Sequence, residues 1–379
     1  MATPPPPSPI VQPARGPIRA RQRYLPVSTR TVLWGRLPCE RDAPVLTIDP
    51  GDEVTIDTVS HEGILEDQGR NPLAFFAQHG VDPDQVLADA VELARDFEGR
   101  DPAADGPHVV TGPIHIRGAR PGDLLKMTVV ETLPRVPYGI ISNRHGRGAL
   151  PGEYPRQPGT TVSVFAALDP VADQDAPAGT QYAVMSPRAG AARSVRFPIA
   201  PFLGIMGVAA AGDQRPHSVP PGPHGGNIDI NLLTAGSALY LPVQVPGALA
   251  YVGDPHFAQG DGEVALTALE ASLRVTVRFD VLDEAAAIER FGRLAGPLAE
   301  TTDFLIPTGL DPDLDEAMRR CVRAAIALLQ ARFGMDPEHA LAYLSAATDF
   351  NISQVVDRVT GVHARIRVAD FDAAERSHA

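Results

Sequence analysis

Two cysteines, Cys39 and Cys321, in 379 residues exclude a disulfide scaffold and a cysteine-rich zinc site. Cys321 recurs with Met318, Val322, Ala325 and Leu328 at helical spacing, and Cys39 follows Pro38 near a strand end. Both read as structural thiols, which argues against a cysteine nucleophile. Lysine is almost missing: apart from Lys126, every non-histidine cation is arginine. No run reaches the roughly 20 apolar residues of a membrane helix. The opening MATPPPPSPIVQPARGPIRARQ lacks the apolar stretch of a signal peptide, so the expectation is a cytoplasmic protein. A net charge of −13 and a pI near 5.3 leave no basic surface for nucleic acid or an anionic membrane. The serine-hydrolase patterns G-x-S-x-G and Ser-x-x-Lys and the zinc-protease pattern H-E-x-x-H are absent as well.

What is present is a succession of short strands with Gly/Pro turns. Residues 45–59 alternate around a Pro-Gly-Asp turn, as in a half-buried antiparallel pair. Further strands are expected at Ile114–Arg117, Leu124–Thr132, Thr161–Leu168, Gln181–Met185, Ser194–Pro198, Phe202–Ala210, Ala238–Val245 and Val264–Leu282. Helical spacing marks Asp84–Phe97, Leu314–Phe333, Pro337–Thr348 and Asn351–Thr360, and Tyr138–Arg156 reads as a long loop, either solvated with Asn143 as a cap or a lid over a site. Strands followed by helices indicate a mainly β sandwich with an α-rich C-terminal section, an α+β arrangement. The expected division is a disordered Pro/Arg-rich arm at 1–23, a β-sandwich catalytic core at 24–283, and an α-rich section at 284–379. Surplus apolar surface on the helices between Leu314 and Thr360 points to a homodimer or a multiple of one.

Chemistry-bearing residues concentrate between Pro220 and Glu263, in two glycine-rich turns on either side of the apolar run from Ala238. Glycine lets the backbone approach a ligand. Asp254 and His256 are two apart, as are Asp261 and Glu263, and in extended chain each pair shares a face. That pattern is a candidate metal or acid–base cluster.

The motifs resemble those of the acetamidase/formamidase family. These are Gly225, Gly226 and Asn227 with Asp229, then Leu239–Val243, Gly247–Leu249 and Gly253–Glu263. Upstream, His108–Pro113 and Gly118–Asp123 are similar to two further family elements, and the resemblance runs from about Pro44 to Phe371. It implies a jelly-roll-like sandwich and hydrolysis of small linear amides such as formamide or acetamide. It also makes Asp57, at a strand end, resemble a site position.

Without a serine or thiol nucleophile, the inventory suits water activated by a divalent metal, zinc being the ion that mixed His and carboxylate ligands favour. Asp254 and His256 are the expected ligands, with Asp57 and His61 as further ones. Glu263 is the expected general acid–base, beside Asp261. His224, Gly225, Gly226 and Asn227 would present N–H groups to the substrate carbonyl, with Asp229 orienting them. The alternative is a non-catalytic small-molecule-binding sandwich on the same scaffold.

Overall fold

The computed structural model describes residues 10–171, 176–177, 179–188, 191 and 193–371. Two sheets carry the fold. The first has nine strands, running from edge to edge through Tyr24–Leu25, Glu53–Asp57, Leu273–Leu282, Leu124–Pro134, Ala238–Pro242, Leu298–Glu300, Phe304–Asp311, Thr360–Arg367 and Asp349–Gln354. The second has eleven. Its main path is Val195–Pro198, Tyr182–Met185, Thr161–Leu168, Tyr138–Arg144, Leu269–Glu270, Ala250–Ala258, Phe202–Gly207 and Gly225–Asn227. Val109–Ile116 pairs with Ala250–Ala258, and Val32–Trp34 and Leu46–Ile48 pair with Val109–Ile116.

The sheets face each other across one core. Val277 and Phe279 from the first sheet join Val252 and Phe257 from the second in a single buried cluster. Alternation explains the choice: Val275, Val277 and Phe279 are each 0% exposed and share one face of their strand. Burying each such side chain contributes about 1.5–3 kcal/mol. The class is the expected one, mainly β, with the two longest helices, Leu314–Phe333 and Pro337–Ala347, in the C-terminal section. Strand pairing nevertheless crosses residue 283, because Ala238–Pro242 is bonded to Leu298–Glu300.

The helix Leu314–Phe333 is capped by Asp313, whose side chain accepts from the Glu316 N–H, and it ends on left-handed Gly334. These are the start and stop signals its sequence carries. Ala317, Cys321, Ala325, Leu328 and Leu329 form its buried face. Burial raises the Cys321 thiol to about 12, so it is inert.

Four expectations give way. Residues 349–354 are a strand, not the start of a helix, because they pair with 360–367 as a hairpin, and side chains that alternate faces have no apolar stripe to bury as a helix. Tyr138–Arg144 is a strand within the second sheet, so the loop begins only at His145. The long strand expected from Val264 is broken before Leu269, since Glu263 and Leu266 adopt positive φ, 46° and 106°. Of the N-terminal arm, residues 1–9 lie outside the described residues, and residues 10–23, expected to be disordered, run through turns into a 3-10 helix at Arg21–Arg23. Buried Arg135 and Arg274 donate to the carbonyls of Val11, Gln12, Arg15 and Pro17, which offsets the ordering entropy a polar arm would otherwise lack means to oppose.

Candidate metal and acid–base centre

The strand Ala250–Ala258 positions the centre. Its pairing shifts register on both sides, between Ala250 and Val252 and again between His256 and Ala258. Asp254 has left-handed φ of 51°, a conformation that non-glycine residues adopt at a cost and that clusters at functional sites. These irregularities aim Asp254 and His256 into the same space. His256 Nε2 lies 3.1 Å from Asp254 Oδ2 and 3.0 Å from Glu270 Oε1. His61 Nδ1 lies 3.4 Å from Asp254 Oδ1 and 3.8 Å from Glu270 Oε2. His108 Nε2 approaches Asp254 Oδ2 at 3.8 Å, while its Nδ1 bonds Ser218 O and Oγ at 3.2 and 3.1 Å. A ring held at one nitrogen presents the other in a fixed direction.

Gly204 makes this convergence possible. A Cβ there would stand 2.5 Å from Asp229 Oδ1, 2.7 Å from His256 Cε1 and 2.8 Å from Asp254 Oδ2. No side chain fits.

The electrostatics are those of a carboxylate-rich, water-poor site. Asp229, Asp254, Glu263, Glu270 and Asp357 are all buried, which disfavours the ionised form. Burial, and next the charge of Asp357, push Asp229 well up. Burial, and next the charge of Asp229, do the same to Glu263. Burial lowers His61, but the charge of Glu270 and the carboxylates of Asp254 and Glu62, each 3.4 Å from a ring nitrogen, outweigh it and carry it to about 10. Burial alone dominates at His108, which drops to about 4.

The residues fit a metal. His61 Nδ1, Asp254 Oδ1, Glu270 Oε2, both His256 nitrogens and both Asp229 oxygens are buried without a hydrogen-bond partner among the described residues, an expensive state for polar atoms unless something else meets them. Three overlapping groups bring ligand atoms within 4.8 Å of one another: His61, His108 and Asp254; Asp254, His256 and Glu270; Asp229, His256 and Glu263.

A cavity of about 650 Å³ opens onto the centre, lined by His61, His108, Asn227, Asp254, Glu263, Glu270 and Asp357 among others. The expected residues His61, Asp254, His256, Asp229, Glu263 and Asn227 thus come together here. Asp57 does not. It accepts from Arg274 Nε and Nη2 at 2.6 and 2.9 Å and from Tyr24 at 2.5 Å, a fully satisfied buried acid with no oxygen left for a metal. Asp261 is exposed and bridges Asn231 and Asn351 at 3.0 and 2.6 Å, so it too lies outside the centre. The Gly225 N–H donates to Gly222 O and the strand 225–227 pairs with 205–207, so of the expected nest only Asn227 reaches the cavity. His224 is half-buried beside Gly222 and Gly226 and does not line it.

Glu270 and Asp357 were not singled out in the sequence, and His108 only as part of a motif. Glu270 leaves a trace, an acid inside the apolar TALEAS run. Asp357 leaves none.

Residues 209–368 match the model of the acetamidase/formamidase family. The chain is 29% identical to an acetamidase of Mycolicibacterium smegmatis over 50% of its own length and 57% of that protein's. It is 26% identical to a formamidase of Methylophilus methylotrophus, over 66% and 73% of the two chains. It spans about half the length of two of the curated relatives it matches, at 52% and 57%. The crystal structure of an acetamidase from Bacillus halodurans shares its fold, with a TM-score of 0.67 over 92% of this chain and 98% of that one at 24% identity. Over residues 209–368 the chain is thus similar to the acetamidase/formamidase family, and its fold is that of a solved acetamidase.

Proposed function

We propose that the protein hydrolyses linear amide C–N bonds, releasing ammonia and a carboxylate from small amides of the formamide and acetamide kind. The observation that carries this reading is the convergence of three histidines and several carboxylates, His61, His108, Asp254, Glu263 and Glu270 on the wall of one cavity and His256 buried behind them. The relatives' names support the substrate class. Asp254, His256 and Glu270, with His61 and His108 beside them, would hold a divalent metal, zinc by the mixed donor set. When bound, such an ion supplies polarisation of the carbonyl and a more acidic water.

The chain's own residues do the rest. Asn227 faces the cavity where a carbonyl oxygen gains charge and donates to it through its amide. Glu263 takes the proton from water as the new C–O bond forms, then delivers it to nitrogen as the C–N bond breaks, leaving a carboxylic acid and ammonia, which part as carboxylate and ammonium once the acid's proton passes to ammonia. The buried walls exclude bulk water, which strengthens each of these interactions. A homodimer and a cytoplasmic location complete the proposal; no helix among the described residues is long and apolar enough to cross a membrane.

Ammonia release from a panel of amides, with the protein as purified and after chelation, tests the proposal. Turnover that falls on chelation and returns with added zinc is expected. Full activity of metal-free protein would remove the metal from the reading, and no turnover of any amide would remove the hydrolase.

A further inference from the structure

The rim of the cavity carries a feature that formamide and acetamide do not use. Four arginines line it: Arg100, Arg144, Arg147 and Arg358. Two are neutralised in place. Arg100 is paired with Glu66, and Arg144 with Glu62 at 3.0 Å and Asp67 at 2.7 Å. The third rim acid, Asp105, is taken by Arg36 at 2.5 Å. Arg147 and Arg358 are left exposed, with no carboxylate partner among the described residues. They come from different parts of the chain, one from the loop after strand 138–144 and the other from the hairpin turn before strand 360–367. Arg358 holds a left-handed φ of 65°, unusual for a side chain of its size.

Both cations line the same cavity as His217, which is held below its ordinary range by burial first and then by the charges of Arg358 and Arg36, with Asp105 opposing them and Arg147 adding to them. Its Nδ1 accepts the Val219 N–H at 3.1 Å, so the neutral ring carries its proton on Nε2 as a donor. Two guanidinium forks and a neutral imidazole donor are what a carboxylate needs for planar, charge-assisted recognition. They stand out on a chain of net charge −13, whose surface otherwise repels anions. Size agrees: about 650 Å³ is in the range that encloses drug-sized ligands, far beyond an amide of a few heavy atoms.

We infer that the preferred substrate is an amide whose acyl chain ends in a carboxylate, held at the rim by Arg147 and Arg358 while the amide reaches the metal and acid–base floor. This rests on the amide-hydrolase reading. The reaction balances as before: water adds to the amide carbon, the C–N bond breaks, nitrogen leaves as ammonia, and the product is a dicarboxylate. Small neutral amides enter the same cavity but forgo the rim.

The test compares ammonia release from succinamate and from 4-methylpentanamide, which has the same shape without the charge, using the full-length protein. The expected preference for succinamate in kcat/KM is about ten- to a hundredfold. In the double variant Arg147→Gln/Arg358→Gln that ratio should fall by a similar factor, mainly through KM. A ratio near one in the unmodified protein, or one that the double variant leaves intact, overturns the inference. Calorimetric titration with succinate, which needs no turnover, separates the two readings. A Kd weakened at least about tenfold in the variant supports the anion site even if no amide is hydrolysed, whereas equal Kd values overturn it. Both arginines are exposed, so the variant keeps the fold, and Arg358→Gln alone serves as a second, milder version.

Discussion

His256 and Glu270 are direct cross-strand partners, and their side chains meet at 3.0 Å between Nε2 and Oε1. One belongs to a glycine-rich motif and the other to a short strand in an apolar run, so the register of two neighbouring strands assembles half of the candidate centre. Glu270→Gln keeps the shape and removes a negative charge. It should lower metal affinity about 10- to 100-fold and amide turnover with it, while the thermal midpoint of the metal-free protein moves little. Metal content by mass spectrometry beside ammonia release checks this; undiminished metal in an inactive variant would reassign Glu270 to the chemistry.

Glu263 should separate from the ligands in the opposite way. Glu263→Gln is expected to retain metal and fold and to lose roughly 10²–10⁴-fold in kcat. A variant that loses its metal as well would make Glu263 a ligand with Asp229 and His256, the third grouping that the geometry allows.

Asp57 gives a stability prediction instead of a catalytic one. Asp57→Ala leaves the buried guanidinium of Arg274 short of its counter-charge, a loss of about 3–5 kcal/mol, whereas Arg135 keeps Asp89 at 2.8 Å. Denaturant unfolding should show it with the metal content per folded molecule unchanged. Loss of metal from folded protein would contradict the placement.

The pH dependence of stability can be read at His224. Burial drops it from 6.5 to about 4, so between those values the unfolded chain binds a proton that the folded one refuses. Stability attributable to this group is complete above pH 6.5 and declines as pH falls towards 4, by on the order of 3 kcal/mol in all. His224→Gln should flatten that part of the acid limb in thermal melts taken from pH 7 to 4. An identical limb in both proteins would mean that His224 is charged inside the fold.

The sequence makes the sandwich legible because alternation such as Val275, Val277, Phe279 is a local signal of a two-faced strand. It makes Asp254 and His256 legible because they sit in a distinctive motif. The physical reason they share a pocket is less simple than period-two spacing, since Asp254 is left-handed and the ladder is bulged on either side. Glu270 and Asp357 were hidden because their roles depend on which strands become neighbours. Asp57 misleads for the same reason: an acid at a strand end looks available until Arg274 is found opposite it. Residues 351–360 failed as a helix because a hairpin partner in the following ten residues outweighs weak local preference.

Gly204 has a consequence for how such a cavity changes over time. Three side chains already occupy the place where its Cβ would go, so the floor has no neighbouring position at which a gradual exchange of residues can reshape it. The rim is different, built from the loop around Arg147 and the hairpin turn at Arg358, where exposed residues change without disturbing the core. Descendants of this scaffold would therefore acquire new substrates from the entrance inward, with the reactive end held constant.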